Sequence, residues 1–193
     1  MTTTRIRRSA LLAAAAFVVP VALGVAGPAF ADAPKAADPY GPACASVPKE
    51  GSGSLAGMAK DPVATAASHN PALSTLVAAV KKAGLVDTLN NAKDITVFAP
   101  TNEAFAKIPK ADLTKILGDK AELTKILTYH VVGERLTPKQ LTAGSFKTLE
   151  GGSLATAGSG STFTVNGHAK IVCGDVQTAN ATVNIIDTVL TPM

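Results

Sequence analysis

An α+β fold with an antiparallel sheet is predicted for this chain, on three observations. Apolar residues recur at helical spacing through its first half. From Phe146 onward, short β-rich runs alternate with turn signals at Glu150-Gly-Gly-Ser153, Gly158-Ser-Gly-Ser161 and Asn166-Gly167. That last pair separates Phe163–Val165 from Ala169–Cys173, a strong hairpin signal. Helices first and strands later is the α+β order.

Residues 1–31 read as a signal peptide. Arg5, Arg7 and Arg8 form a basic start, and Leu11 to Val25 is an apolar run broken by Pro20 and Gly24. Ala29-Phe30-Ala31 is a small-x-small cleavage site before Asp32. The run is short for a transmembrane anchor and lacks a stop-transfer flank. Arg7-Arg8 invites a twin-arginine reading; Ala10, and the missing strong hydrophobe after the pair, point to ordinary Sec export. No cysteine ends the run, which disfavours a lipoprotein anchor. Cleavage would leave 162 residues (193 less 31), enough for one domain with a substantial core. The segment holds three of the 18 basic residues and no acids, so the mature chain carries 15 basic against 14 acidic residues. A net charge of +1 gives no reason to expect nucleic acid or an anionic membrane. Trp is absent and aromatics are scarce, which also argues against base stacking.

Two cysteines in an exported chain read as one disulfide, Cys44 to Cys173; two buried free thiols are the other reading, disfavoured in an oxidising compartment. Residues 32–54 are rich in Pro, Gly, Ser and Ala without apolar period, an arm held mainly by Cys44. The domain proper is assigned to 55–193.

Within it, Asp61-Pro62 reads as an N-cap followed by proline at the first helical position. Asn70-Pro71 restarts a second helix, whose buried face is Leu73, Leu76, Val77 and Val80 and which Gly84 ends. Leu85, Val86 and Leu89 add a further turn of core. Ile95, Val97 and Ala99 mark one face of a buried strand, with Phe98 on the other, and Pro100 ends it. Thr101 or Asn102 can cap the short helix carrying Phe105, which Pro109 stops. Leu-Thr-Lys-Ile-Leu occurs at 113–117 and again at 123–127. Gly118-Asp119 separates the copies and Asp119 with Glu122 makes a capping-box-like start. The pair predicts two consecutive amphipathic helices, each with a Leu/Ile/Leu face.

Three stretches carry a family resemblance. Thr96 to Pro109 resembles the first signature box of the fasciclin-type domain, Ile126-Leu-Thr-Tyr-His-Val-Val132 its central Tyr-His element, and Ala181 to Pro192 its closing strand. Order and spacing fit over about residues 55 to 192. Gly41-Pro-Ala-Cys44 and Val172-Cys-Gly174 resemble the single-domain secreted fasciclin antigens of actinobacteria, mycobacteria among them. The resemblance implies a β-wedge or small sandwich with N-terminal helices packed along it.

No catalytic pattern emerges. Gly151-Gly-Ser153-Leu-Ala155 lacks the last glycine of a nucleophile elbow and sits in a hairpin. P-loop and dinucleotide fingerprints are absent. His69, His130 and His168 lack metal-ligand spacing. No enzyme activity, cofactor or metal is expected. His130 has two readings: a base, ligand or adhesion determinant, or a buried imidazole bonded to a polar neighbour. Its apolar flanks favour the second, and Asn102 is the expected partner, because the resemblance packs the family boxes together. Tyr129 is either a buried ring with a satisfied hydroxyl or part of an exposed patch. In animal fasciclin proteins a Tyr-His element is implicated in adhesion. Thr101, Asn102, Tyr129 and His130 are therefore the candidate recognition or structural motif. Asn180-Ala-Thr182 matches a glycosylation sequon, inert in the bacterial host the resemblance implies. The functional expectation is a secreted, monomeric, non-enzymatic domain without a membrane anchor. It would bind an extracellular protein or cell-envelope component. A carrier for an envelope glycan or small ligand is the alternative, and an enzyme with a site assembled in the fold comes third.

Overall fold

The computed structural model describes residues 38–192. The signal peptide and the start of the arm lie outside the described residues. The arm holds a 3-10 turn, Pro42–Ser46. Four helices follow: α1 (Leu55–Met58), α2 (Val63–Ser68), α3 (Ser74–Ala83, entered through a 3-10 turn at Pro71–Leu73) and α4 (Val86–Asn91). Strand β1 (Ile95–Pro100) leads to α5 (Asn102–Ala106), α6 (Lys110–Gly118) and α7 (Lys120–Tyr129). After β2 (Val131–Val132) and α8 (Pro138–Leu141) come β3 (Ala143–Lys147), β4 (Ser153–Ser159), β5 (Thr162–Val165), β6 (Ala169–Gln177) and β7 (Ala181–Ile186).

The seven strands form one sheet in the order β2-β1-β7-β6-β5-β4-β3. The α+β class holds, and the sheet is mixed. Five pairings are antiparallel and one, β1 with β7, is parallel. Short turns fix the direction of each strand from β4 to β7 by its predecessor. No turn links β7 to β1, so sequence-local signals cannot set that pairing. At the far ends of the order, Val132 bridges Thr148 and the Leu149 N–H donates to the Val131 carbonyl (2.8 Å). The two edges thus meet and the sheet curls into a closed, barrel-like wedge, which leaves no long free edge.

Two cores result. Ile95, Val97 and Ala99 join Leu76, Val80 and Leu127 between helices and sheet. Phe98 points the other way, to Tyr129, Leu154, Phe163 and Ile186 inside the wedge. Every residue of β1 and β7 is buried, as strands covered on both faces should be. The two identical pentapeptides differ in fate. In α7, Leu123, Ile126 and Leu127 are buried; in α6 the equivalent Leu113, Ile116 and Leu117 are only half-buried. Val77, expected in the core, is likewise half-buried.

The helix ends show where local reading fails. Gly84 ends α3 at φ 75°, and Asp119 caps α7 through the Ala121 and Glu122 N–H groups, as expected. Asp61 does not cap α2; it pairs with His69 (3.3 Å). The α2 start is capped from a distance: the Val63 N–H donates to Asn180 Oδ1 (2.8 Å) and the Ala64 N–H to Asn90 Oδ1 (3.0 Å). Asn180 Nδ2 also donates to the carbonyls of Leu89 (2.8 Å) and Ala92 (2.7 Å). The sequon asparagine therefore ties the β6–β7 turn to both ends of the α2–α4 layer. Asn180→Ala is expected to cost about 1–3 kcal/mol, because it strands a helix donor and the last carbonyls of α4. Urea denaturation measures this, and an unchanged midpoint would contradict it.

The arm docks on β6. Cys44 is bonded to Cys173, 129 residues away. Tyr40 and Gly174 exchange backbone hydrogen bonds (3.1 and 2.7 Å), and the Tyr40 ring lies against Gly174, where any Cβ would overlap it. Val47 is buried beyond the disulfide.

Candidate functional site

The three signature stretches converge around the end of α7. His130 caps that helix and is 2% exposed. Its Nδ1 lies 2.8 Å from the Ile126 carbonyl, and its Nε2 accepts the Leu190 N–H (2.9 Å). A carbonyl needs a donor and an N–H needs an acceptor, so the ring is neutral with its proton on Nδ1. Burial pushes the imidazole down to about 4, against the opposing effect of the Ile126 bond. Neither nitrogen keeps a free lone pair, so His130 is placed to hold β7's exit against α7, and not to act as a base or metal ligand. Its own carbonyl accepts the Phe98 N–H (2.9 Å), which adds β1 to the same junction.

Asn102 is not the partner of His130. Its Nδ2 donates to the Pro71 carbonyl (2.9 Å) and its Oδ1 accepts the Thr75 N–H (2.9 Å), so it clamps the start of α3. Thr101 is the residue that caps α5, through the Ala104 N–H (3.2 Å). Two adjacent polar residues thus start two different helices. Asn102→Ala is expected to lose about 1–2 kcal/mol, the size of a helix cap, and thermal unfolding should register it.

Tyr129 is buried, 2% exposed. Its hydroxyl donates to the Ser153 carbonyl (3.0 Å) and accepts from Asn166 Nδ2 (3.1 Å), while Asn166 Oδ1 accepts the Ala155 N–H (2.9 Å). The phenol therefore ties α7 to the β4 and β5–β6 turns.

A second polar group escaped the sequence reading. Asp175 sits in the β6 bulge at φ 59° and is 5% exposed. Burial pushes its carboxyl up to about 6, opposed by a hydrogen bond from Gln177 (2.6 Å) and by the Arg135 charge. Its backbone N–H donates to Asn184 Oδ1 (3.0 Å), and Asn184 is fully buried. The available signal was the alternation in β7: Thr182 and Asn184 fall on the face opposite Val183 and Ile185. Among the described residues, no group of three or more His, Cys, Asp or Glu side chains is gathered to hold a metal. None of the described helices is long and apolar enough to cross a membrane.

Between the helix layer and the β1–β7 pair lies a cavity of about 200 Å³, walled by Leu76, Val80, Leu89, Val97, Ala99 and Ile185. His130 forms part of the same wall.

A fasciclin domain family model matches residues 71–192, which span all seven strands and every element of the α7 junction. The chain belongs to the fasciclin family. It is 46% identical over 181 residues to Immunogenic protein MPB70 of Mycobacterium bovis, covering 89% of this chain and 92% of that one. It is 48% identical over 165 residues to the Cell surface glycolipoprotein MPT83 of Mycobacterium tuberculosis, covering 81% and 74%. Among solved structures it resembles a FAS1 domain pair from the insect cell adhesion molecule fasciclin I, with a TM-score of 0.50 and 24% identity. That match covers 62% of this chain and 45% of the pair, and it speaks to the fold alone. The residues the fasciclin boxes bring together here are hydrogen-bonding clasps between elements.

Proposed function

We propose that the mature chain begins at Asp32, with 32–54 as a disulfide-tethered arm and 55–193 as the domain. It works as a monomeric, non-enzymatic binding module for a protein or envelope component. The compartment is extracellular: a disulfide closes the described chain, which suits an oxidising environment, and a similar relative is named as a cell surface protein. One observation carries the reading. Thr101, Tyr129 and His130 are engaged in internal hydrogen bonds, and Asn102 holds α3, so the signature residues build scaffold and leave recognition to the outer surface.

On that surface α6 stands out. It presents Leu113, Ile116 and Leu117 half-buried, with Lys110 and Lys115 exposed beside them. An apolar stripe rimmed by cations is the chemistry of a modest protein-binding face. Labelled, oxidised mature domain should bind cells of the source organism saturably, compete with unlabelled protein, and bind less after Ile116→Glu. Adsorption that neither saturates nor responds to that substitution would overturn the reading.

A further inference from the structure

We propose that the cavity between α2, α3, α4 and the β1–β7 pair is a binding site for a hydrocarbon group, a single ring or a short aliphatic chain. Its size is the first reason. Protein interiors leave few voids larger than a water molecule, and this one measures about 200 Å³. A dry apolar cavity of about 150 Å³ is enough to hold benzene, whereas sites for drug-sized ligands start at about 300 Å³.

Its chemistry is the second reason. A buried water needs about two to four polar partners, and most of the polar groups on this wall are already engaged within the protein. Both His130 ring nitrogens are bonded. Thr178 Oγ1 is paired with the backbone of Ala181, and Ser68 Oγ donates to the Thr65 carbonyl (2.6 Å). Most of the other lining side chains are aliphatic, supplied by the helix layer and the central strands, so the space favours an apolar occupant over water.

Access is the third. Ser68, Lys81 and Thr88 also line the cavity and are exposed, so it reaches solvent. Lys81 places a cation at the mouth. That arrangement suits an amphiphile whose tail enters and whose anionic head stays outside. The hydrocarbon could equally be free, and two probes distinguish the sources.

Toluene and sodium octanoate should each be titrated into the mature, oxidised domain, with methyl NMR and thermal unfolding as readouts. Saturable shifts at the Leu76, Val97 and Ile185 methyls, with a rising melting temperature, are expected. Ala66→Leu fills the space from α2 and should abolish both effects in a folded protein. Ala99→Val does the same from β1, should the first variant misfold. If Lys81→Glu weakens octanoate several-fold and spares toluene, the occupant is an amphiphile's tail; if it spares both, the site takes free hydrocarbon. The proposal falls if neither probe shifts those methyls up to its solubility limit, or if the shifts persist in the filled variants. This outcome is independent of the cell-binding test, which reads a different face.

Discussion

Cys173→Ser is expected to lower the stability of the mature domain by about 2–5 kcal/mol. The bond to Cys44 closes a separation of 129 residues. In the chain-entropy view so long a loop greatly restricts the unfolded ensemble, with an upper value of roughly 5 kcal/mol. The native state should survive the loss. Tyr40 still pairs with Gly174, its ring still packs on Phe163 at 5.2 Å between centroids, and of the buried hydrophobic core residues the arm supplies only Val47. The result is therefore a folded protein with an earlier transition, on the order of 10 °C lower in melting temperature for a domain of this size. Cys44→Ser should behave alike, and the double variant should match either single one, because one bond is lost in every case. Urea midpoints of the three variants, beside wild type with and without reductant, test this. A Cys173→Ser midpoint equal to that of the oxidised wild type would show that the tether contributes nothing.

What was legible in the sequence was local. Asn166-Gly167 specified its turn because both residues tolerate positive φ, and they adopt 51° and 74° between paired Val165 and Ala169. The alternation Ile95, Val97, Ala99 against Phe98 assigned each side chain of β1 to its core, since strand side chains must alternate. What was not legible depended on distant geometry. Two copies of Leu-Thr-Lys-Ile-Leu carry the same periodicity, yet only the second lies against α3 and the sheet. Nothing inside a pentapeptide can say which copy is covered. Asn102 and His130 are expected from sequence to bond to one another, but a one-dimensional pattern cannot pair them. Asn102 found α3, which begins 28 residues earlier, and His130 found Leu190, 60 residues later. Asn180 is a further case: its sequon match reads as inert, and nothing local indicates that its amide is held by two distant backbone segments, at Val63 and at Leu89–Ala92. The Asp175 bulge had no local marker at all beyond the polar alternation of β7.

His130→Ala is expected to cost about 2–4 kcal/mol. Removing the ring opens a space beside Leu127 and Val131 and leaves the Leu190 N–H, fully buried, without an acceptor. Asn102→Ala shares no partner with it, so the two losses should add in the double variant, in place of the coupling that a direct pair would give. The pH dependence supplies a second readout. Above about 6.5 the imidazole is neutral in both the folded and the unfolded chain. As pH falls from 6.5 toward 4, the unfolded chain takes the proton and the folded one does not, so stability declines, by up to about 3 kcal/mol in all. Asp175 acts with the opposite sign. Its folded carboxyl, pushed up to about 6, binds a proton before the unfolded one does, so acidification from pH 6 toward 4 adds stability. The two slopes offset one another in the wild type. Asp175→Asn should therefore expose a steep acid destabilisation, and His130→Ala should leave a protein that grows more stable as pH falls to 4. Urea melts at pH 7, 5.5 and 4 distinguish these from a histidine at a working surface. Such a histidine would give an unchanged melting temperature, an unchanged pH profile and lost binding, and that result would return the Tyr129-His130 element to the list of recognition sites.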